Sequence, residues 1–421
     1  MRIGSFVQFC AGLLRTCVFR VDKEPELSME LKFPEMAKLL KGVSHLVPLQ
    51  SSMMVALPGP RLEGESSKTK TLFTADLPTV AGFRNEIQVM SSLQKPKKIT
   101  VIGSDRVDHA FLLKPKDDLR KDCRLNEFNS VVNKLLKKDP EARKRRLHIR
   151  TFAVLPLNDE CGIIEWVPET VPFRKILQGI YKAKDCLMLS RDVMELSKKK
   201  KVKLELHREL VQRHPAVFHE WFLDRFPEPS AWFASRLAYV RTTAVISMAG
   251  YIAGLGDRHG ENILIDQTTG DTVHVDFNCL FEKGKSFDVP ELVPFRLTHN
   301  MTDAFGMTRA EGVFRRSCEV SLRVIRQHKD TLMSVLETFI YDPLVEWSKK
   351  GKSSSDHTQV VAADAAPLEA KKCLHTIQKK LEGVATSASG LSIEGQVSEL
   401  IEQATNVENL SKMFRGWAAF L

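Results

Sequence analysis

"GLGDRHGENILIDQTTGDTVHVDFN" occupies residues 254–278, and its polar positions are those of a phosphotransferase loop written in an inverted order. Asp257 and Asn262 stand five residues apart, the interval that separates catalytic aspartate from metal-binding asparagine in the H-R-D-x-x-x-x-N loop of protein kinases. Asp276 follows in "HVDFN", in the place of the D-F-G aspartate. Phosphoryl transfer asks for little covalent work: a carboxylate to orient the attacking hydroxyl, hard oxygen ligands for magnesium, and positive charge on the phosphates. Taken singly, each residue has a structural explanation. Asp257 and Arg258 would make a loop ion pair, Asn262 would cap a turn, and Asp276 would end a strand. Their joint spacing across two strand-like runs, "NILID" and "TVHVDF", selects the kinase reading.

Working outward, the chain before this loop holds its longest helical stretch, "AWFASRLAYVRTTAVISMAGYIAGL", apolar on most faces and read as starting after Ser230 as N-cap. Helices are expected again over roughly 308–340. Further upstream the pattern is β-rich. "ITVIGSDRVDHAFLLK" (Ile99 to Lys114) predicts two strands joined by a Gly-Ser-Asp turn, "RTFAVLPL" and "CGIIEWV" predict two more, and an amphipathic helix over 119–138 separates the pairs. Lys114, at the end of an apolar strand, is the candidate phosphate cation, with Asp117, Asp118 or Asp122 as its acidic partner. No Gly-x-Gly-x-x-Gly or Walker A sequence is present, which leaves "MSSLQKPKK" (Met90 to Lys98) as the phosphate loop.

The expected fold is α+β and bilobal, protein-kinase-like in the order of a small β-rich lobe followed by a large helical one. Its divisions are an N-terminal helical piece and linker (1–80), a small β-rich N-lobe with hinge (81–167), a large helical C-lobe (168–348), a polar linker (349–388) and a compact helical end (389–421). Composition agrees with a globular chain: of 421 residues, 43% are hydrophobic and 27% charged, with a net charge of +10 that favours acidic partners without choosing among them. The eight cysteines form no C-x-x-C pair, which points to reduced thiols in the cytosol or nucleus. The opening "MRIGSFVQFCAGLLRTCVF" is interrupted by Gln8 and Arg15 and is expected as an amphipathic helix, and no run reaches the roughly 18 apolar residues of a membrane span.

"GLGDRHGENIL", "HVDFN", "FLLKPKDDLRKDCRLNEFN", "LNDECGIIEWV", "VPFRLTHNM" and "EGQVSELIEQATNVENLSKMFRGW" together resemble the phosphatidylinositol-3-kinase-related protein kinases, over about 31–421. The resemblance implies that Asp257 orients the substrate hydroxyl, that His259 stabilises the transferring phosphoryl group, and that Asn262 and Asp276 bind the metal. It gives Lys114 the phosphates and Asp122 the back of the nucleotide pocket. Glu165, Trp166 and Val167 become the hinge for adenine, with Leu112, Leu264 and Val275 as apolar walls. ATP with Mg²⁺ or Mn²⁺ is the implied cofactor set. The last thirty or so residues resemble the FATC segment, with Trp417 and Phe420 as packing residues. Two departures stand out: Asn278 replaces the glycine of D-F-G, and Phe152 stands where relatives often carry Tyr.

The implied activity is a nuclear Ser/Thr protein kinase acting on Ser/Thr-Gln sites in DNA-damage and replication-stress checkpoint signalling, together with regulatory partner proteins. One alternative is a phosphoinositide kinase, which should carry a dense basic activation segment. "DFNCLFEKGKSFDVPELVPFRL" instead sets Lys283 and Lys285 against Glu282, Asp288 and Glu291. The other is a non-catalytic scaffold, binding nucleic acid through "KKKKVK" (198–203) or "RKRR" (143–146). No interleaved aromatics support base stacking there, so direct nucleic-acid binding is not supported.

Overall fold

A computed structural model of the chain describes residues 3–21, 24–40, 45–50, 77–92, 94–200, 202–341, 365–384 and 390–421. It divides into two compact units: Met1–Asn126 with Thr151–Pro168, and Glu127–Arg150 with Glu169–Leu421. The α+β expectation holds, with an antiparallel sheet in the first unit and a mainly helical second unit.

The first unit is built on strands β1 (Glu26–Ser28), β2 (Val80–Phe83), β3 (Glu86–Val89), β4 (Lys97–Gly103), β5 (Asp108–Pro115), β6 (Val154–Pro156) and β7 (Cys161–Glu165), in the order β1-β3-β4-β5-β7-β6, with β2 also paired to β4. β4 and β5 form the predicted hairpin, registered from Lys97 against Leu113 to Ile102 against Asp108. Period-two alternation sends Ile99, Val101, Phe111 and Leu113 into one core. The Ile3–Val18 helix joins that core through Phe9, Leu13 and Cys17, so residues expected to precede the lobe complete it. Lys97, expected in the phosphate loop, is turned inward instead, because the same alternation places it on the core face. Its ammonium donates to Cys17 O at 2.7 Å, and burial lowers its pKa. Lys98 points the other way, 4.7 Å over the Trp166 ring.

In the second unit β8 (Thr170–Pro172), β9 (Ile263–Asp266) and β10 (Thr272–His274) make a small antiparallel sheet in the order β10-β9-β8. The β9–β10 turn is tied by Asp266 Oδ1, which accepts from the Thr268 amide and hydroxyl and from the Thr269 amide. The helix Pro229–Ala253 is buried almost continuously from Tyr239 onward. Its N-cap is Glu228 and not Ser230, since Pro229, with fixed φ and no N–H to lose, takes the first helical position. Thr242 accepts the Thr272 amide at 2.9 Å and Thr243 bonds the Thr272 hydroxyl at 2.7 Å, anchoring the helix to β10. Gly254, left-handed at φ +63°, ends the helix and turns the chain into the loop that opened the sequence.

Helices Val313–Gln327 and Lys329–Ile340 follow as expected. Within the span read as a linker, Ala365–Glu382 is a helix, while 342–364 and 385–389 lie outside the described residues, as do 51–76 of the earlier linker. The chain ends in Ile393–Thr405, Val407–Lys412 and a short turn Arg415–Trp417, with Leu410, Met413, Trp417 and Ala419 packed together. Among the described residues no cysteine is joined in a disulfide. Among the described residues no helix is long and apolar enough to cross a membrane.

Candidate active site

The first unit brings together six of the expected site residues. β5 alternates, so Leu112 and Lys114 share the face opposite the core-facing Phe111 and Leu113. Lys114 Nζ donates to Asp117 at 3.1 Å, and both side chains are largely screened from water. Of the other two carboxylates considered, Asp118 is held bidentately by Arg120. Asp122 is fully buried in the first turn of the Arg120–Lys138 helix. At the end of β7, Glu165 spends its carboxylate on the Gln50 and Ala153 amides, both at 2.8 Å. The Glu165 and Trp166 amides are also taken, by Ala153 O and Ala110 O, so their N–H groups belong to the sheet. Phe152 is fully buried.

The other six expected residues lie in the second unit, around the loop 255–262 and the strands beside it. Asp257 takes a left-handed main chain, φ +54°, fixed at both ends: its N–H donates to Glu291 Oε1 at 2.8 Å and its C=O accepts from Asn262 Nδ2 at 3.0 Å. The Asn262 amide bonds His259 O, and Val275 N–H bonds Asn262 O, each at 3.0 Å, which lays the β10 exit against the loop. Leu264, on the less buried face of β9, and Val275, just past β10, are both partly exposed.

His259 Nε2 stands 3.9 Å from Asp257 Oδ2. Its Nδ1 is 3.3 Å from the Glu261 amide and acts as acceptor, which leaves the imidazole proton on Nε2, facing the aspartate. Burial pushes the Asp257 carboxyl above its ordinary range, with Asp276 adding to the rise, and the same burial holds His259 below its own. A neutral imidazole beside a hard-pressed carboxylate is an arrangement able to orient a hydroxyl and donate to a phosphoryl oxygen.

Asp276 is also left-handed, φ +61°, and accepts Asn278 Nδ2 at 2.9 Å on its carboxylate. Asn278, in place of the D-F-G glycine, needs no positive φ, because that conformation falls on Asp276, and Asn278 uses its amide to hold the carboxylate. With Asn262 Nδ2 engaged by the Asp257 carbonyl, the Asn262 oxygen and the Asp276 carboxylate are hard oxygen donors of the kind magnesium takes. Among the described residues no cluster of three or more His, Cys, Asp or Glu could hold a metal, so an ion here would complete its shell with phosphate oxygens and water.

Sequence reasoning missed the residues that brace the loop. Arg258 donates to Gly256 O and Val275 O, both at 2.8 Å, and to Asp276 O, tying the aspartate-bearing segments together through the main chain. Arg296 is buried, lies 4.4 Å over the Trp417 ring, and donates to Trp417 O at 2.8 Å, Ala418 O at 3.1 Å and Arg258 O at 3.4 Å. Burial draws its pKa down to about 9, which leaves it charged at neutral pH. Phe420 meets the His214 ring at a tilt, 5.3 Å between centroids. No spacing rule flags an arginine whose acceptors lie far off in sequence. In the basic runs Lys199 pairs with Glu195, Lys200 with Glu209, and Arg145 with Glu141, as in solvated helix faces.

The phosphatidylinositol 3- and 4-kinase family model matches residues 108–349, more than half of the chain, and the FATC domain model matches 390–421. The serine/threonine-protein kinase ATR of Arabidopsis thaliana is 48% identical over 388 residues, covering 90% of this chain and 14% of that protein. Protein kinase rad3 of Schizosaccharomyces pombe is 45% identical over 428 residues, covering 99% of this chain and 17% of its own length. A solved structure described as the FAT and kinase domain of CtTel1 superposes with a TM-score of 0.80 at 32% identity, covering 99% of this chain and 28% of that one. The chain therefore spans a small fraction of the length of the curated relatives it matches, and its own match is to a kinase domain followed by a FATC domain. It belongs to the phosphatidylinositol 3- and 4-kinase family.

Proposed function

We propose that this family member is a serine/threonine protein kinase that moves the γ-phosphate of ATP to Ser or Thr followed by Gln, in nuclear DNA-damage and replication-stress checkpoint signalling with regulatory partner proteins. The observation that carries the reading is the doubly held Asp257, 3.9 Å from His259 and bonded to Asn262. In this mechanism Asp257 orients the substrate hydroxyl and accepts its proton, and His259 Nε2–H donates to the moving phosphoryl group. Asn262 and Asp276 hold magnesium, which when bound supplies charge neutralisation to the phosphates. Lys114 neutralises phosphate, kept in place by Asp117. Asp122 lines the back of the nucleotide pocket, Glu165, Trp166 and Val167 form its hinge, and Leu112, Leu264 and Val275 flank the base.

Protein rather than lipid as acceptor is supported by the activation segment. Lys285 is paired with Glu282 at 2.9 Å, and the segment sets two lysines, Lys283 and Lys285, against Glu282, Asp288 and Glu291, a near-neutral balance where an inositol phosphate calls for dense positive charge. Labelled ATP supplied with a Ser-Gln peptide and, separately, with phosphatidylinositol vesicles tests the proposal. Label on the peptide is expected. Label on the lipid alone overturns the protein-kinase reading, and turnover by Asp257→Ala equal to wild type overturns the site.

A further inference from the structure

A non-glycine residue in the left-handed region costs on the order of 1–3 kcal/mol and persists where its surroundings over-determine it. At Asp257 the loop itself supplies one restraint, the Asn262 carboxamide on the C=O. The second comes from outside the loop: Glu291, far downstream, receives the Asp257 amide at 2.8 Å on Oε1. Its other oxygen occupies a slot kept open by two glycines, since a β-carbon on either Gly256 or Gly284 would collide with Oε2. The main chain closes the same arrangement, with Glu291 N–H on Gly284 O at 3.0 Å and Gly256 N–H on Cys279 O at 2.8 Å. Burial and the Asp257 charge push the Glu291 carboxyl upward, while the Asp257 amide opposes the rise. A carboxylate in such a place is retained at a cost, and the contact it makes is to the main chain of the candidate catalytic aspartate.

We propose that Glu291 is a positioning residue: seated between Gly256 and Gly284, it fixes the left-handed main chain of Asp257, so the aspartate is set only when the segment bearing Glu291 is in place. This deepens the kinase reading above and depends on it for its kinetic consequence. The activation segment thereby reports its own position to the catalytic loop through one hydrogen bond. An acceptor oxygen is what the role requires, and a full charge is not.

Native-state hydrogen exchange at the Asp257 amide, measured on the whole chain, reads the positioning directly. Steady-state kinetics with a Ser-Gln peptide reads its effect. Glu291→Ala is expected to speed exchange at that amide at least ~10-fold and to lower kcat roughly 10- to 100-fold, as misplacement of a catalytic group does, with KM for ATP nearly unchanged. Glu291→Gln, which keeps an acceptor oxygen, is expected to restore amide protection and to bring kcat within about three-fold of wild type. Gly284→Ala removes the seat while leaving Glu291 in the chain, and gives the same readings should Glu291→Ala fail to fold. Unchanged exchange and kcat in Glu291→Ala overturn the proposal, as does a Gln variant as impaired as the Ala variant. Wild-type chain that labels neither peptide nor lipid refutes the kinase reading alone, and the exchange comparison still decides whether Glu291 sets the loop.

Discussion

Asn262 donates its carboxamide N–H to the carbonyl oxygen of Asp257 at 3.0 Å, so one side chain both braces the candidate catalytic aspartate and presents an oxygen to the metal. The two duties separate by substitution. Asn262→Asp keeps an oxygen ligand but turns a second acceptor towards the Asp257 carbonyl, so kcat is expected to fall roughly 10- to 100-fold while the magnesium requirement persists. A magnesium titration of initial rates, run beside Asn262→Ala, checks this: the Ala variant is expected to lose rate and to need more magnesium to reach it.

Asp257 carries a stability signature opposite to that of a salt-bridged aspartate. Its folded pKa lies above its ordinary 3.8, so its contribution to stability is present below that value and lost as pH rises through the folded pKa. At pH 7 the ionised carboxylate is a net burden. Asp257→Asn is therefore expected to abolish turnover while holding or raising Tm at pH 7, with the difference shrinking at low pH. Thermal unfolding between pH 4 and 8 provides the measurement.

The same pair sets the pH–rate profile. With Asp257 raised above 3.8 and His259 lowered below 6.5, the acid limb of kcat/KM is expected above 3.8, and His259 is expected to add no inflection above 6.5. An acid limb at or below 3.8 would contradict the burial argument.

The C-terminal turn reaches the catalytic loop through Arg296, whose guanidinium serves three carbonyls and a ring face at once. A lysine has the charge but not the planar fork. Arg296→Lys is expected to cost about 3 kcal/mol in urea unfolding, in line with hydrogen bonds to a buried charged group, and to lower kcat through Arg258.

Lys380 ties the Ala365–Glu382 helix beneath the same region, pairing with Glu282 at 2.8 Å, donating to Tyr251 O at 2.8 Å and lying 4.8 Å from the Tyr251 ring. Lys380→Met leaves Glu282 without that partner and is expected to cost about 3 kcal/mol, part of it regained in Lys380→Met/Glu282→Gln. Equal stability of the single and double variants would show that the pair does not couple.

What the sequence made legible follows from interaction range. The β4–β5 hairpin, the long apolar helix and the 257–262–276 spacing are encoded within a few residues of themselves, and the structure contains each of them. Asp117 as a partner of Lys114, Glu291 under Asp257, and Arg296 on the last residues depend on contacts closed by the fold, or on a choice among adjacent carboxylates, and neither is carried by periodicity. A basic run suggests a phosphate loop at Lys97, whereas strand alternation turns the residue inward and a main-chain carbonyl receives its charge. Ser230 was misjudged because the proline before it is the better first residue of a helix.

The place of Phe9, Leu13 and Cys17 in the core of the β-sheet unit bears on where this polypeptide can be cut. A fragment trimmed to begin near residue 80, as the kinase boundary drawn from sequence would invite, loses those three together with Leu27, Met29, Phe33 and Met36. Ile99, Val101, Phe111 and Leu113 would then face water as a contiguous apolar surface, an invitation to aggregation in any expression host. A soluble catalytic fragment has to carry the opening helix with it.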